Sequence, residues 1–221
     1  QNVVVGSSYD EIRVESGTSN QITSNFVGVD RNVDVRKSLL LTQNPGNQDR
    51  IGIVAGAAGV LTGNVVGGFF EGIFLSTGAM VDANYVGVGP NSQSIPNTYG
   101  IVAAGNDNLI ETGNVISNNG IGLQVNTGAT GNKISQNSFS ANGSTGIQLA
   151  GTGNNGILPP TWGAYVDAAG DLTVRVTAAV AGTIEFFEAD SQNSGEGERF
   201  FATPLAYTTP GSEQLYCLGQ A

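Results

Sequence analysis

The feature that most constrains this chain is a short phrase that returns about every 20–25 residues. A glycine followed by aliphatic residues opens it at Gly52-Ile53-Val54, Gly72-Ile73-Phe74-Leu75, Gly100-Ile101-Val102, Gly122-Leu123-Gln124-Val125 and Gly146-Ile147-Gln148-Leu149. The spacings are 20, 28, 22 and 24 residues. A second phrase sits between these copies, at Asn64-Val65-Val66, Asn84-Tyr85-Val86, Asn114-Val115-Ile116 and Asn132-Lys133-Ile134. Each apolar run is too short to form an ordinary sheet with its sequence neighbours. Stacking copies ~4.8 Å apart lets every run pair with the copies above and below it. The pattern therefore predicts an all-β solenoid of about six coils, on the order of 30 Å long. Gly and Asn belong at its corners, where the backbone turns left-handed. Stacked Asn side chains can bond to their own copies along the axis. A β-sandwich with Gly-rich turns is the competing architecture.

Composition narrows the function classes. Only 12% of the 221 residues are charged, against ~25% in ordinary globular chains, which argues against a mostly helical surface. Lys and Arg total 8 against 18 Asp and Glu, so no basic surface for a phosphate backbone is expected, and no nucleic-acid partner. The chain has no His, which excludes a Ser-His-Asp triad and any His-ligated metal. The single Cys, Cys217, cannot form a disulfide within the chain and reads as a small core residue. No apolar run approaches the ~18 residues of a membrane span. Gln1 opens within what reads as mature sequence, so a removed leader or a longer parent chain is expected.

The chain divides in two. Residues 1–157 hold 21 of the 22 Asn and 26 of the 33 Gly. Residues 158–160 form a linker stiffened by Pro159-Pro160. Residues 161–221 show period-two alternation at Leu172-Thr173-Val174-Arg175-Val176-Thr177 and, in part, at Thr183-Ile184-Glu185-Phe186-Phe187-Glu188. Phe200-Phe201 and Gln214-Leu215-Tyr216-Cys217-Leu218 follow after turns, an antiparallel sandwich pattern.

Residues 9–157 resemble the right-handed parallel β-helix repeat proteins of bacterial secreted and surface origin. The carrying segments are Asn25-Phe26-Val27-Gly28-Val29-Asp30, Gly113-Asn114-Val115-Ile116-Ser117-Asn118-Asn119-Gly120 and Gly131-Asn132-Lys133-Ile134-Ser135-Gln136-Asn137. Ile184-Glu185-Phe186-Phe187 followed by Gly195-Glu196-Gly197-Glu198 resembles the immunoglobulin-like module that often follows such helices. The resemblance implies a fold and a secreted or cell-surface location, but not an activity, since this fold hosts lyases, hydrolases, tailspikes, adhesins and structural rods.

Three candidate sites follow. Two insertions leave the repeat after the same Asn-aromatic-Val-Gly-Val phrase. The first carries Asp30, Arg31, Asp34, Arg36, Lys37, Asp49 and Arg50, and the second carries Asn91 and Gln93. They should leave one side of the rod as ligand or partner loops, or as a lateral packing arm. Asp190, Asn193, Glu196 and Glu198 lie in an oxygen-rich hairpin that could hold Ca²⁺, although the Asp-x-Asp-x-Asp-Gly spacing is incomplete and a solvated loop competes. No other cofactor is expected. Finally, 161–221 is short for a sandwich of ~100 residues and should leave an open slot. Val3, Val4 and Val5 of another copy would complete it by strand addition, building a head-to-tail polymer; a truncated chain, or the last coil of the repeat covering the edge, are the competing accounts. The acids of the repeat show no Asp-Asp or Asn-Thr-Asp arrangement, and Asp82 and Asp107 fall in different phases. The sequence thus points to a non-enzymatic structural or adhesive protein. A polysaccharide-acting or cell-surface glycan-binding protein is the alternative.

Overall fold

The computed structural model describes residues 2–5, 10–17, 20–33, 51–56, 58–190, 195–201 and 203–220. Its body is three stacked parallel sheets of six, six and five strands. The first holds Val3–Val4, Phe26–Val27, Val65–Val66, Tyr85–Val86, Val115–Ser117 and Ser138–Ser140. The second holds Ile12–Val14, Ile51–Ala55, Glu71–Leu75, Tyr99–Ala103, Ile121–Val125 and Thr145–Leu149. The third holds Asn20–Thr23, Gly59–Thr62, Met80–Asp82, Leu109–Ile110 and Lys133–Ile134. The chain visits the second, third and first sheets in turn and repeats, so each circuit adds one rung to every sheet.

Register turns the sequence repeat into packing. Ile53, Ile73, Ile101, Leu123 and Ile147 stack in one column. Val27, Val66, Val86, Ile116 and Phe139 form the second. Ile22, Leu61, Val81, Ile110 and Ile134 form the third. The three columns converge on one apolar core whose middle members are fully buried. The Gly of the recurrent phrase is required by close approach rather than by its torsion angles. A Cβ at Gly72 would stand 2.6 Å from the carbonyl oxygen of Gly100, and one at Gly122 would stand 2.5 Å from that of Gly146.

Among the described residues asparagine makes up most of the buried polar set, with ten members among fifteen polar or charged residues. They run in ladders. Asn25, Asn64 and Asn84 each donate both the backbone N–H and the Nδ2 amide to the Oδ1 of the next copy, at 2.9–3.1 Å, and Asn114 donates its Nδ2 on to Asn137 Oδ1 at 2.7 Å. The other amide hydrogen of Asn64, Asn84 and Asn114 goes back to Ile22, Leu61 and Val81 carbonyls at 2.7–2.9 Å. A second ladder runs Asn97, Asn119, Asn142. A third runs Asn108, Asn132, Asn154. Every bond from one of these Asn to an Asn Oδ1 has the same polarity, with the side-chain oxygen accepting from the preceding circuit.

The remainder is antiparallel. Thr161–Val166, Asp171–Thr177 and Gln214–Gln220 make a three-stranded sheet, with two hairpin-like pairs beside it, Gly182–Ile184 with Leu205–Tyr207 and Phe187–Ala189 with Gly197–Phe200. Val174, Val176 and Tyr216 form its small core. The expected Thr183–Glu188 strand is split in two, because Glu185 between the halves is held by the parallel stack. Two further expectations are corrected. Val3 and Val4 pair in parallel with Phe26 and Val27 of the same chain, so the run expected to complete another copy's sandwich is instead a rung of its own stack. Cys217 is exposed, not buried.

A ladder with no slack predicts a large penalty for one deletion in its middle. Asn84→Ala removes the acceptor of both Asn64 donors and the amide bond to the Leu61 carbonyl inside the stack. The expected loss is about 3 kcal/mol or more in urea unfolding. A loss below about 1 kcal/mol would show that water or repacking replaces the ladder.

Candidate functional site

A ladder of this polarity has an inherent problem at its last rung, where donors face forward with no further Asn to accept them. The second ladder solves it with a carboxylate. Asn142 donates its backbone N–H to Glu196 Oε2 at 2.8 Å and its Nδ2 amide to Glu196 Oε1 at 3.0 Å. Glu196 is 7% exposed. It also stands where the next circuit would stand beside the glycine column, with Oε1 3.1 Å from a Cβ placed on Gly146. Two more acids of the antiparallel part face the same end. Glu185 accepts a short bond from the Ser135 hydroxyl and one from the Gln136 N–H at 3.0 Å. Buried Asp190 lies 3.3 Å from the Ala141 N–H as its acceptor. A carboxylate suits this place because its two oxygens accept both donors, and because aligned amides leave positive potential at their N–H end.

The acids of the expected Ca²⁺ hairpin are thus engaged in other ways. Glu196 and Asp190 point into the stack, and Glu198 is exposed on the Gly197–Phe200 strand. Asn193 lies outside the described residues. Among the described residues no three His, Cys, Asp or Glu side chains come together to hold a metal ion. Sequence reasoning missed Glu185 altogether. The signal that could have found it was the direction of the Asn bonds, which requires acceptors after the final repeat.

The two insertions do meet. Val33 and Ile95 are buried together against Val29 and Val65, and a Cβ on Gly89 would stand 2.5 Å from Val33 Cγ1. Asp30 Oδ1 accepts from the Asn32 N–H at 2.8 Å, Gln93 Oε1 accepts from the Asn91 N–H at 3.1 Å, and Arg31 and Asn91 are exposed. Asp34, Arg36, Lys37, Asp49 and Arg50 lie outside the described residues. In its described portion this side packs through valine and isoleucine.

The stack also brings together a carboxylate pair that spacing alone does not reveal. Val81 is in register with Ile110, which places Asp82 and Glu111 in the same phase of adjacent circuits. Lys133 on the following circuit bridges to Glu111 at 2.5 Å. Partial burial, and then the charge of Glu111, push the Asp82 carboxyl above its ordinary value. The hydrogen bond to Glu111 raises the Lys133 ammonium. Asp82 and Asp107 share a residue type but not a phase, and the acid in phase with Asp82 is Glu111.

The antiparallel part holds an apolar concavity. A groove of ≈ 400 Å³ runs between Trp162, Ala164 and Val174 on one side and Ile184, Phe186 and Phe201 on the other.

The cap and the carboxylate pair each have a thermal signature. Glu196→Gln keeps the shape but turns an amide donor toward Asn142, and should cost about 1–3 kcal/mol, whereas Glu198→Gln and added chelator should leave the melting curve unchanged. A melting temperature lowered by chelator would establish a Ca²⁺ site. Asp82 has a raised folded pKa, so its ionisation disfavours the fold. That penalty is absent below the unfolded value and grows as pH rises through the raised one. Asp82→Asn should therefore melt slightly higher than the parent at neutral pH, the gain fading toward pH ~3.8; a variant that melts lower at neutral pH would contradict the assignment. Comparison with known proteins finds no matching family model, no similar curated protein and no similar solved structure.

Proposed function

We propose that this protein is a right-handed parallel β-helix closed at its C-terminal end by an immunoglobulin-like module, and that it serves as a secreted or cell-surface structural or adhesive element. The observation that carries the reading is the use of its buried polar groups. Ten buried Asn form ladders or their ends, and two of the remaining buried polar residues, Asp190 and Glu196, cap the last circuit. A catalytic site usually holds buried polar groups in reserve for a substrate. Here they hold the rod together. Low charge and a stiff repeat suit a spacer or a presenting surface, with another copy of the chain or a cell-surface glycan as partner.

A second reading, action on a polysaccharide, rests on the in-phase pair Asp82 and Glu111. Adjacent rungs lie ~4.8 Å apart, close to the ~5–5.5 Å separation that retaining glycosidases use. Against it stands Lys133, which neutralises Glu111 from the following circuit. Incubation with pectate, alginate and neutral glycans decides between them. No unsaturated product and no new reducing ends are expected. Turnover that disappears in Glu111→Gln would replace the structural reading with the enzymatic one.

A further inference from the structure

One strand of the antiparallel part is left uncovered on both faces. Thr161–Val166 pairs with Asp171–Thr177 on one side, and among the described residues no strand lies along its other side. Trp162 is 74% exposed, Val166 57% and Tyr165 42%. Natural sheets protect such an edge with Lys, Pro, a bulge or a covering loop. Among the described residues none of these protects this strand. Its register with Asp171–Thr177 is regular from Thr161 opposite Thr177 to Val166 opposite Leu172. It carries no charge, in a chain of formal net charge -10. The groove beside it offers little to a sugar, because its two acids already have partners. Glu185 is bonded to Ser135 and Gln136, and Glu188 to Arg199.

Those features fit a second copy of this chain. A two-fold axis normal to a sheet places residues of the same face opposite one another, so the paired positions must sum to an even number. With Ala164 opposite Ala164, Trp162 falls opposite Val166 and Gly163 opposite Tyr165. On the groove face each indole then covers a valine that is otherwise exposed. On the other face each Tyr165 ring lies over a glycine, the pairing by which aromatic residues protect edge glycines. Arg175 already sits there, 6.0 Å from the Tyr165 ring centre, with Nη2 3.3 Å from a Cβ placed on Gly163. Asp167 falls opposite Thr161, not opposite its own copy, so two acidic chains meet here without facing carboxylates.

We propose that the Thr161–Val166 strand is a self-association edge through which two copies of this chain form an isologous antiparallel dimer centred on Ala164. The proposal deepens the structural reading by naming its partner. It is decided by mass and cross-linking, whereas that reading is decided by turnover, so the two can fail separately. A six-residue strand is ~20 Å long and gives an interface in the weak class, below ~1,200 Å². The dimer should therefore appear between about 10 μM and 1 mM.

Sedimentation velocity on the full chain across that range tests the proposal, with fluorescence of Trp162, the single Trp, read in parallel. Dimer formation with a blue-shifted emission is expected. Ala164→Lys should stay monomeric throughout while melting like the parent. In a Cys217→Ser background, Ala164→Cys should oxidise to a disulfide-linked dimer and Val166→Cys should not. A chain that is monomeric at 1 mM, a dimer that persists in Ala164→Lys, an open-ended polymer, or Val166→Cys cross-linking as readily as Ala164→Cys would each overturn the proposal.

Discussion

The bond from one asparagine to the next is the interaction on which the rest of this molecule depends. An apolar core alone would leave the circuits free to slip, since Val, Ile and Leu columns are nearly interchangeable from one rung to the next. The side-chain amide removes that freedom. Its Oδ1 takes two donors from the circuit before, and its Nδ2 reaches both forward and back. Each ladder position therefore has to hold Asn. A Gln would be too long and an Asp would have no donors. The same bonds set the direction of the stack. Each Oδ1 accepts from the circuit before, and each backbone N–H of the ladder donates to the circuit after, so the two ends of the ladder differ chemically.

The antiparallel part follows from that asymmetry. It is joined through Pro159-Pro160, which reads as a tether, yet it contributes Glu185, Asp190 and Glu196 to the last circuit. Solenoids need a closed end if their cores and open sheet edges are not to associate further. Here the closure is electrostatic as well as steric, with carboxylates meeting amide donors. The cap occupies the last rung of the second ladder, while exposed apolar side chains remain both on the Thr161–Val166 strand and at Ile147, Ile157 and Leu158.

Much of this architecture is legible in the order of the residues. The spacing of Gly-Ile phrases locates the rungs, and Asn64, Asn84 and Asn114 are recognisable as one stacked set, but Asn132, which opens the same phrase, stands in the third ladder, and Asn137 follows Asn114 instead. The antiparallel pattern from Thr161 onward is legible too. The rest is hidden for physical reasons. Val3-Val4-Val5 lacks the Gly-Ile phrase, but a first-sheet rung does not need it, because that phrase belongs to the second sheet. Asp190 and Glu196 read as a solvated or Ca²⁺-binding loop because composition does not say which way a side chain points. Glu185 sits in an alternating apolar run and reads as a solvent-facing position of a strand, whereas its carboxylate anchors that run to Ser135 and Gln136. Asp82 and Glu111 are 29 residues apart in a repeat whose spacing varies, so only the register reveals their shared phase.

The central claim is that the last rung of the second ladder is as well satisfied as those inside it. Amide hydrogen exchange on the unmodified protein tests this most directly, because an uncapped end frays and exchanges first. The account predicts that the Asn142 N–H, held by Glu196, is protected to within about tenfold of the Asn119 and Asn97 N–H groups. Exchange at Asn142 a thousandfold or so faster than at Asn119, as at a frayed terminus, would contradict it.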